Sequence, residues 1–360
     1  MITTATGLLD SVPAAGLPAV TAAELTALVE QAGLRGRGGA SFPTATKLRA
    51  VAGARDLVVV GNAMEGEPLS AKDAVLLRRA PHLVVEGLLV VGRALGAARL
   101  VIGAGTHVPV ADLAPVASAH GVKVVVVPGG FISGQESALA RGLSGRAAVP
   151  TDPATRVTTR GVDGRPTLVL NVETLAQVAR VVRHGPAAAD TALFTLSGAL
   201  SSPGVVEAPW TSTIADIVDR GHPSAIRAVL VGGYHGTWMA HPDLDVPAAS
   251  VAVGAGVLHM LPPEVCPLRA TGAIAAYLAA ESAGQCGPCI NALPRVADTM
   301  LRLASTTADP RLPAEVARLS ALAAGRGACA HPDGTVRMVL SAMRVFADDV
   351  AAHLDGRCVA

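Results

Sequence analysis

The chain has 360 residues, about half of them apolar, and 29 basic against 28 acidic side chains leave a net charge of +1. That is enough apolar matter and length for two or three cores at roughly 100 to 200 residues per domain. The balanced charge and the absence of basic runs exclude the footprint of a nucleic-acid binder. No apolar stretch approaches the roughly 20 residues of a membrane-spanning helix.

The N-terminus, MITTATGLLDSVPAAG, lacks the basic region and apolar core of a signal peptide, so the expectation is a cytoplasmic protein. Thr21 and Glu24 then stand at capping-box spacing and predict a helix running to about Gly33. The glycine-rich loop GLRGRGGASFPTATK follows. Next come a buried strand in LVVVGNA, an acidic loop EGEPLSAKD, a helix from about His82 to Leu95, and a strand in ARLVIGAG. A helix through VADLAPVASAHG and a strand in VKVVVVP complete a repeating pattern. Apolar strands alternating with helices predict a parallel α/β sheet covered on both faces.

Beyond a loop at about residues 144 to 165, a helix runs through NVETLAQVARVV, and short strands and turns then predict a small β-rich module. From about Arg269 the chain is Ala- and Leu-rich with helical periodicity, which predicts a C-terminal four-helix bundle. The expected domains are 1–189, 190–255 and 256–360.

Several stretches carry chemistry. Gly36, Gly38 and Gly39 let a backbone pass close to a ligand and offer N–H groups to a phosphate, although an ordinary glycine loop has the same composition. Asn62, Glu65 and Glu67 lie just past a predicted buried strand, the edge where open α/β sheets bind ligands; a solvated acidic loop is the alternative. Glu136, near a predicted helix start, suits the helix dipole. Lysine occurs only at Lys47, Lys72 and Lys123, which draws attention to each. Cys286 and Cys289 are spaced C-x-x-C after a helix, which disfavours a thioredoxin-like pair, and Cys329 lies forty residues on. Three soft thiolates suit iron-sulfur chemistry or zinc. Cys266 and Cys358 are read as buried or incidental thiols.

GLRGRGGASFPTATK, NAMEGEP followed by KD and PHLVVEG, SGQESAL, RPTLVLNVETLA and ESAGQCGPC occur in one order over about residues 20 to 345. In this order they resemble the flavin-containing NADH-binding subunit family of respiratory complex I, whose relatives occur in NAD-dependent formate dehydrogenases and hydrogenases. The resemblance implies an α/β flavin-binding domain, a β-grasp-like (SLBB-like) module and a helical iron-sulfur domain. It implies FMN at Gly36, Gly38, Gly39, Lys47, Asn62, Glu65, Asn171 and Thr174, with Glu67 and Glu136 near NAD(H). It also implies Cys286, Cys289 and Cys329 as cluster ligands. Ala283 stands where the family has another cysteine, so the cluster is expected to be 4Fe-4S with a non-cysteine fourth ligand, or 3Fe-4S. Water, His331, Gln285, Asp333 and Ser282 are the candidate fourth ligands.

Other departures fall at Ser41, Met64, Phe131, Gln135 and Leu170, and each lost polar contact weakens nucleotide recognition by about 0.5 to 1.5 kcal/mol. The expected function is an electron-transfer flavoprotein subunit, taking electrons from NADH or another donor through FMN to the cluster. A ferredoxin-like or membrane redox protein is the expected partner, which would place the chain at the periphery of a membrane complex. The alternatives are a flavin-poor iron-sulfur relay or redox sensor, and a non-enzymatic ligand-binding scaffold.

Overall fold

A computed structural model describes residues 7–13 and 16–358; residues 1–6, part of the stretch that lacks signal-peptide character, lie outside the described set. The chain forms two compact units, Met1–Phe194 with Val205–Trp210, and Thr195–Gly204 with Thr211–Ala360.

In the first unit, β1 (Val58–Ala63), β2 (Arg99–Gly105), β3 (Lys123–Val127) and β4 (Thr167–Asn171) form a sheet in the order β3-β2-β1-β4. Every pairing in it is parallel. Helices α1 (Ala22–Gln31), α2 (Thr44–Ala50), α3 (Lys72–Arg79), α4 (Pro81–Ala94), α5 (Leu113–Ala119), α6 (Glu136–Leu143) and α7 (Val172–His184) accompany it. The expected capping box of α1 is present, with Thr21 and Glu24 each satisfying the other's backbone N–H.

The continuous apolar strands are explained by two cores. Val59, Ile102, Leu168 and Leu170 belong to one apolar cluster, and Val58, Val60, Val101 and Val169 to another. Alternate residues of one strand point to opposite faces, so both sets must be apolar when both faces are covered. Helices α4 and α7 pack closely because Gly87 has no side chain: a Cβ there would lie 1.9 Å from the Leu175 carbonyl oxygen.

The division between the units falls within β5 (Thr191–Gly198). With β6 (Gly204–Pro209), β7 (Ala228–Val231), β8 (Thr237–Ala240) and β9 (Val257–Leu261) it forms a mixed sheet in the order β6-β5-β9-β7-β8. β9 lies beyond residue 255, and α8 (Ile214–Asp219) opens with a Thr213–Asp216 capping box.

The second unit then runs through α9 (Pro267–Ala280), a π-helical turn (Pro288–Ala292), α10 (Leu293–Leu303), α11 (Leu312–Ala323), α12 (His331–Val345) and α13 (Ala347–Leu354). Helix α9 packs on α10, α10 on α11, α11 on α12, and α12 back on α9. Helices α12 and α13 are divided at Phe346, whose φ of −108° and ψ of 34° depart from helical values. Among the described residues, no helix is long and apolar enough to cross a membrane.

Candidate functional sites

The first site sits where the parallel sheet reverses its winding. From β1 the chain proceeds to β2 and β3 on one side and then returns to β4 on the other, and the register pairs Asn62 with Asn171 at the carboxyl ends of β1 and β4. Such a switch point is where open α/β sheets bind ligands, because the following loops diverge there.

Three loops converge around it. Residues 35–43 form a closed loop, pinched by an Arg35–Pro43 bridge and by the Gly36 N–H donating to the Phe42 carbonyl at 2.8 Å. The loop is fixed to the start of α7, since the Arg37 N–H donates to Oγ1 of fully buried Thr174 at 2.9 Å. Gly39 has φ +103°, a left-handed conformation that L side chains rarely adopt. The acidic loop touches the loop after β3: a Cβ on Gly66 would lie 2.4 Å from the Phe131 carbonyl oxygen. Asn62 reinforces this contact by donating from Nδ2 to the Gly134 carbonyl at 2.8 Å.

The predicted polar residues are brought together, but several have protein partners. The Glu65 carboxylate accepts from Ser70 Oγ and Asp73 N–H at 2.8 Å and from Ala74 N–H at 3.0 Å, so it caps α3. Glu67 is buried and accepts from Leu69 N–H at 3.4 Å. Lys47 and Glu136 form an ion pair, and Lys47 Nζ also donates to the Val169 carbonyl at 3.3 Å. Asn171 caps α7 through Oδ1 and donates from Nδ2 to Asp73 at 2.6 Å. Of the departures, Met64 and Leu170 are buried in the core, and Gln135 caps α6.

Beneath these residues lies a charge network that sequence reading missed. Lys72 Nζ is 2.8 Å from both Asp73 and Glu173, and all three side chains are buried. Burial opposes the Lys72 charge, yet the attraction of Asp73 and Glu173 outweighs it and holds the ammonium above its ordinary range. Burial pushes the Asp73 carboxyl up to about 6; Lys72 opposes the shift, and Glu65 and Glu173 add to it. Arg37 is also buried, with its guanidinium 4.2 Å from the Trp210 ring centroid and 3.9 Å from Glu173. Burial lowers its proton affinity, partly offset by Glu173, and its Nε has no hydrogen-bond partner. An orphaned buried guanidinium donor beside a glycine loop fits an anionic ligand such as a phosphate. The only hint in the sequence was the scarcity of lysine.

The second site gathers Cys286, Cys289 and Cys329. Cys286 precedes the π-helical turn that carries Cys289, and Cys329 precedes α12. Such turns are frequent at functional sites because the widened coil re-aims side chains. Burial pushes the Cys289 thiol up to about 12, with Cys286, its hydrogen-bond partner, and Cys329 adding to the shift. Burial also raises Cys329, the N–H of His331 opposing and Cys286 and Asp333 adding. Cys289 is buried and Cys286 and Cys329 half-buried, and a cationic centre among them would reverse the penalty on the ionised forms of Cys289 and Cys329.

Among the candidate fourth ligands, His331 is already engaged. It is buried, its Nε2 is 2.7 Å from the Leu278 carbonyl and its Nδ1 is 3.1 Å from His235 Nε2. A carbonyl only accepts, so Nε2 bears the proton and Nδ1 accepts from His235. Asp333 Oδ1 accepts from Gly325 N–H at 2.6 Å and the carboxylate lies within electrostatic range of Cys329.

Residues 29–180 match the family profile described as the Nuo51 FMN-binding domain, and residues 269–353 match the NADH-ubiquinone oxidoreductase-F iron-sulfur binding region. The chain is 28% identical to an NADH-quinone oxidoreductase subunit of Rhizobium meliloti, over 93% of this chain and 89% of that protein. It is also 28% identical to the NADP-reducing hydrogenase subunit HndC of Solidesulfovibrio fructosivorans, over 94% and 77%. A solved chain of an NAD+-reducing NiFe hydrogenase in the air-oxidised state superposes with a TM-score of 0.87 at 30% identity. That superposition covers 96% of this chain and 66% of the hydrogenase chain, so the protein spans about two thirds of that relative.

Proposed function

With both matched regions in this order, the chain belongs to the family of flavin-containing NADH-binding subunits, and we propose that it is an NADH-type electron-transfer subunit using FMN and an iron-sulfur cluster. The observation that carries the reading is that an FMN-binding match over residues 29–180 and an iron-sulfur match over residues 269–353 lie in one chain, with Cys286, Cys289 and Cys329 of the second within electrostatic range of one another. When bound, FMN supplies two-electron exchange with a nicotinamide and one-electron exchange with the cluster.

The residues of the switch point divide the work of holding such a group. Gly36, Gly38 and Gly39 leave the loop backbone bare, Gly38 next to Asn171, while Arg37 and Lys47 supply positive charge for a phosphate. Asn62, Glu65 and Thr174 position the three loops, and Asn171 links them to the buried charge network. Glu67 and Glu136 are the carboxylates assigned to NAD(H), with Glu136 also restraining Lys47. We read the mixed sheet with α8 as a β-grasp-like module, and the closed packing of α9 to α12 as the bundle that carries the cluster. We assign Cys286, Cys289 and Cys329 as ligands and Asp333 as the protein candidate for the fourth position. A redox protein, ferredoxin-like or part of a membrane complex, receives the electrons.

Anaerobically purified protein should contain FMN and about three to four irons with matching sulfide per chain, and NADH should bleach the flavin. Protein that stays colourless after reconstitution would sink the reading. A flavin-poor relay is the second reading, favoured by the Lys47–Glu136 pair, which neutralises the lysine assigned to flavin. Iron and sulfide without stoichiometric FMN would select it.

A further inference from the structure

The two cysteines left out of the cluster are not isolated thiols. Cys266 Sγ lies 3.4 Å from His353 Nε2, and the ligand atoms of Cys266, His353 and Cys358 all lie within 4.8 Å of one another. All three belong to the second unit but stand apart from Cys286. Cys266 and Cys286 flank opposite ends of α9, whose 14 residues extend about 21 Å.

Each of the three groups is prepared by its local structure. Cys266 is the N-cap of α9; burial raises its thiol and Cys358 adds to the shift, while the nearby N–H groups of Arg269 and Leu268 oppose it. Amides at a helix start favour the thiolate over the thiol. His353 is 1% exposed, and its Nδ1 is 3.3 Å from the Ser305 carbonyl oxygen. That oxygen can only accept, so Nδ1 bears the proton and Nε2 turns its lone pair toward Cys266. A ring held by a carbonyl on one nitrogen and free to ligate with the other is the usual setting of a metal-bound histidine. Cys358 reaches the same point because α13 ends in a tight reversal. Gly356 has φ +78°, its N–H donates to the His353 carbonyl at 3.1 Å, and the Arg357 N–H donates to the Ala352 carbonyl at 2.9 Å.

We propose that Cys266, His353 and Cys358 bind a divalent cation of the zinc type, fastening the segment after α13 to the start of α9. Tetrahedral zinc has bonds of about 2.3 Å to sulfur and 2.0 to 2.1 Å to nitrogen, which set its ligand atoms about 3.5 to 3.8 Å apart. The 3.4 Å between Cys266 and His353 and the 4.8 Å limit on the whole set agree with that geometry. Binding releases two thiol protons to solvent, and two thiolates with a neutral imidazole balance a charge of +2. Water occupies the fourth position. No change of oxidation state is involved.

The test uses the full chain with its cluster in place, titrated anaerobically with cobalt(II) as an optical stand-in for zinc. One equivalent should bind, with a thiolate-to-cobalt charge-transfer band, and zinc should displace it and raise Tm. Cys358→Ser, at an exposed position near the chain end, should lower cobalt affinity by more than about tenfold and abolish the rise in Tm, with cluster iron unchanged. Cys266→Ser should do the same, whereas Cys286→Ser should leave the cobalt band and remove cluster iron. A cobalt band insensitive to Cys358→Ser and Cys266→Ser, or no stoichiometric cobalt, overturns the proposal. So does a Cys266–Cys358 disulfide in protein alkylated at lysis, detected by mass spectrometry as a loss of two hydrogens.

Discussion

The switch point of the first unit and the cysteine site of the second bury polar groups in opposite ways. At the switch point, Lys72 faces two carboxylates, Arg37 stacks on Trp210, and loop backbone is tied down by Thr174, Asn62 and Glu65. Around the cysteines burial dominates instead: it raises the Cys289 and Cys329 thiols and holds His235 down to about 3, with His331 and Arg337 adding to the last shift. The first site is thus organised by its own side chains. The second has its charge balance left open for a cationic centre.

The largest effect that would sharpen this contrast is loss of the cluster. Cys289→Ala should reduce bound iron and sulfide to near zero while FMN remains, as measured by metal, sulfide and flavin analysis; full retention of iron would remove Cys289 from the ligand set. Lys72→Met should come next, destabilising the protein by about 3 to 5 kcal/mol in urea unfolding, because it leaves Asp73 and Glu173 buried without their cation. An unchanged midpoint would mean that the network contributes nothing net.

The two regions should also respond to acid with opposite sign. Unfolded histidine binds a proton below about 6.5, whereas His235 in the fold stays neutral to about 3, so its contribution to stability is lost as the pH falls through that window. Folded Asp73 takes up a proton near 6, whereas the unfolded residue does so near 3.9, so its contribution grows over that interval as pH falls. Each slope is at most about 1.4 kcal/mol per pH unit. Comparing stability between pH 4 and 7 in His235→Gln and Asp73→Asn with the parent protein separates them; equal slopes in all three would break the comparison. The smallest effect is Thr174→Val, which frees the Arg37 N–H and should cost about 1 kcal/mol and weaken FMN binding several-fold by fluorescence titration.

Much of this was legible along the chain. The parallel strands follow from apolar runs covered on both faces, and the capping box of α1 from Thr21 and Glu24 alone. Gly66 could be singled out only as a loop glycine, since the Phe131 carbonyl that forbids a side chain there is distant in sequence. Cys266 and Cys358 looked incidental for the same reason: the histidine that joins them is 87 residues from Cys266. His331 was a reasonable candidate fourth ligand by position, and its hydrogen bonds to Leu278 and His235 are what engage both ring nitrogens.

Residue type and local period by themselves determined the alternation of strands and helices, the glycine loop, and the C-x-x-C pair, because these depend on neighbours a few positions apart. Only the tertiary structure decided which charges share Lys72, which backbone Thr174 holds, and which cysteines meet which histidine. Those partners come from distant segments, and their energies arise from desolvation and contact that exist only once the chain has packed.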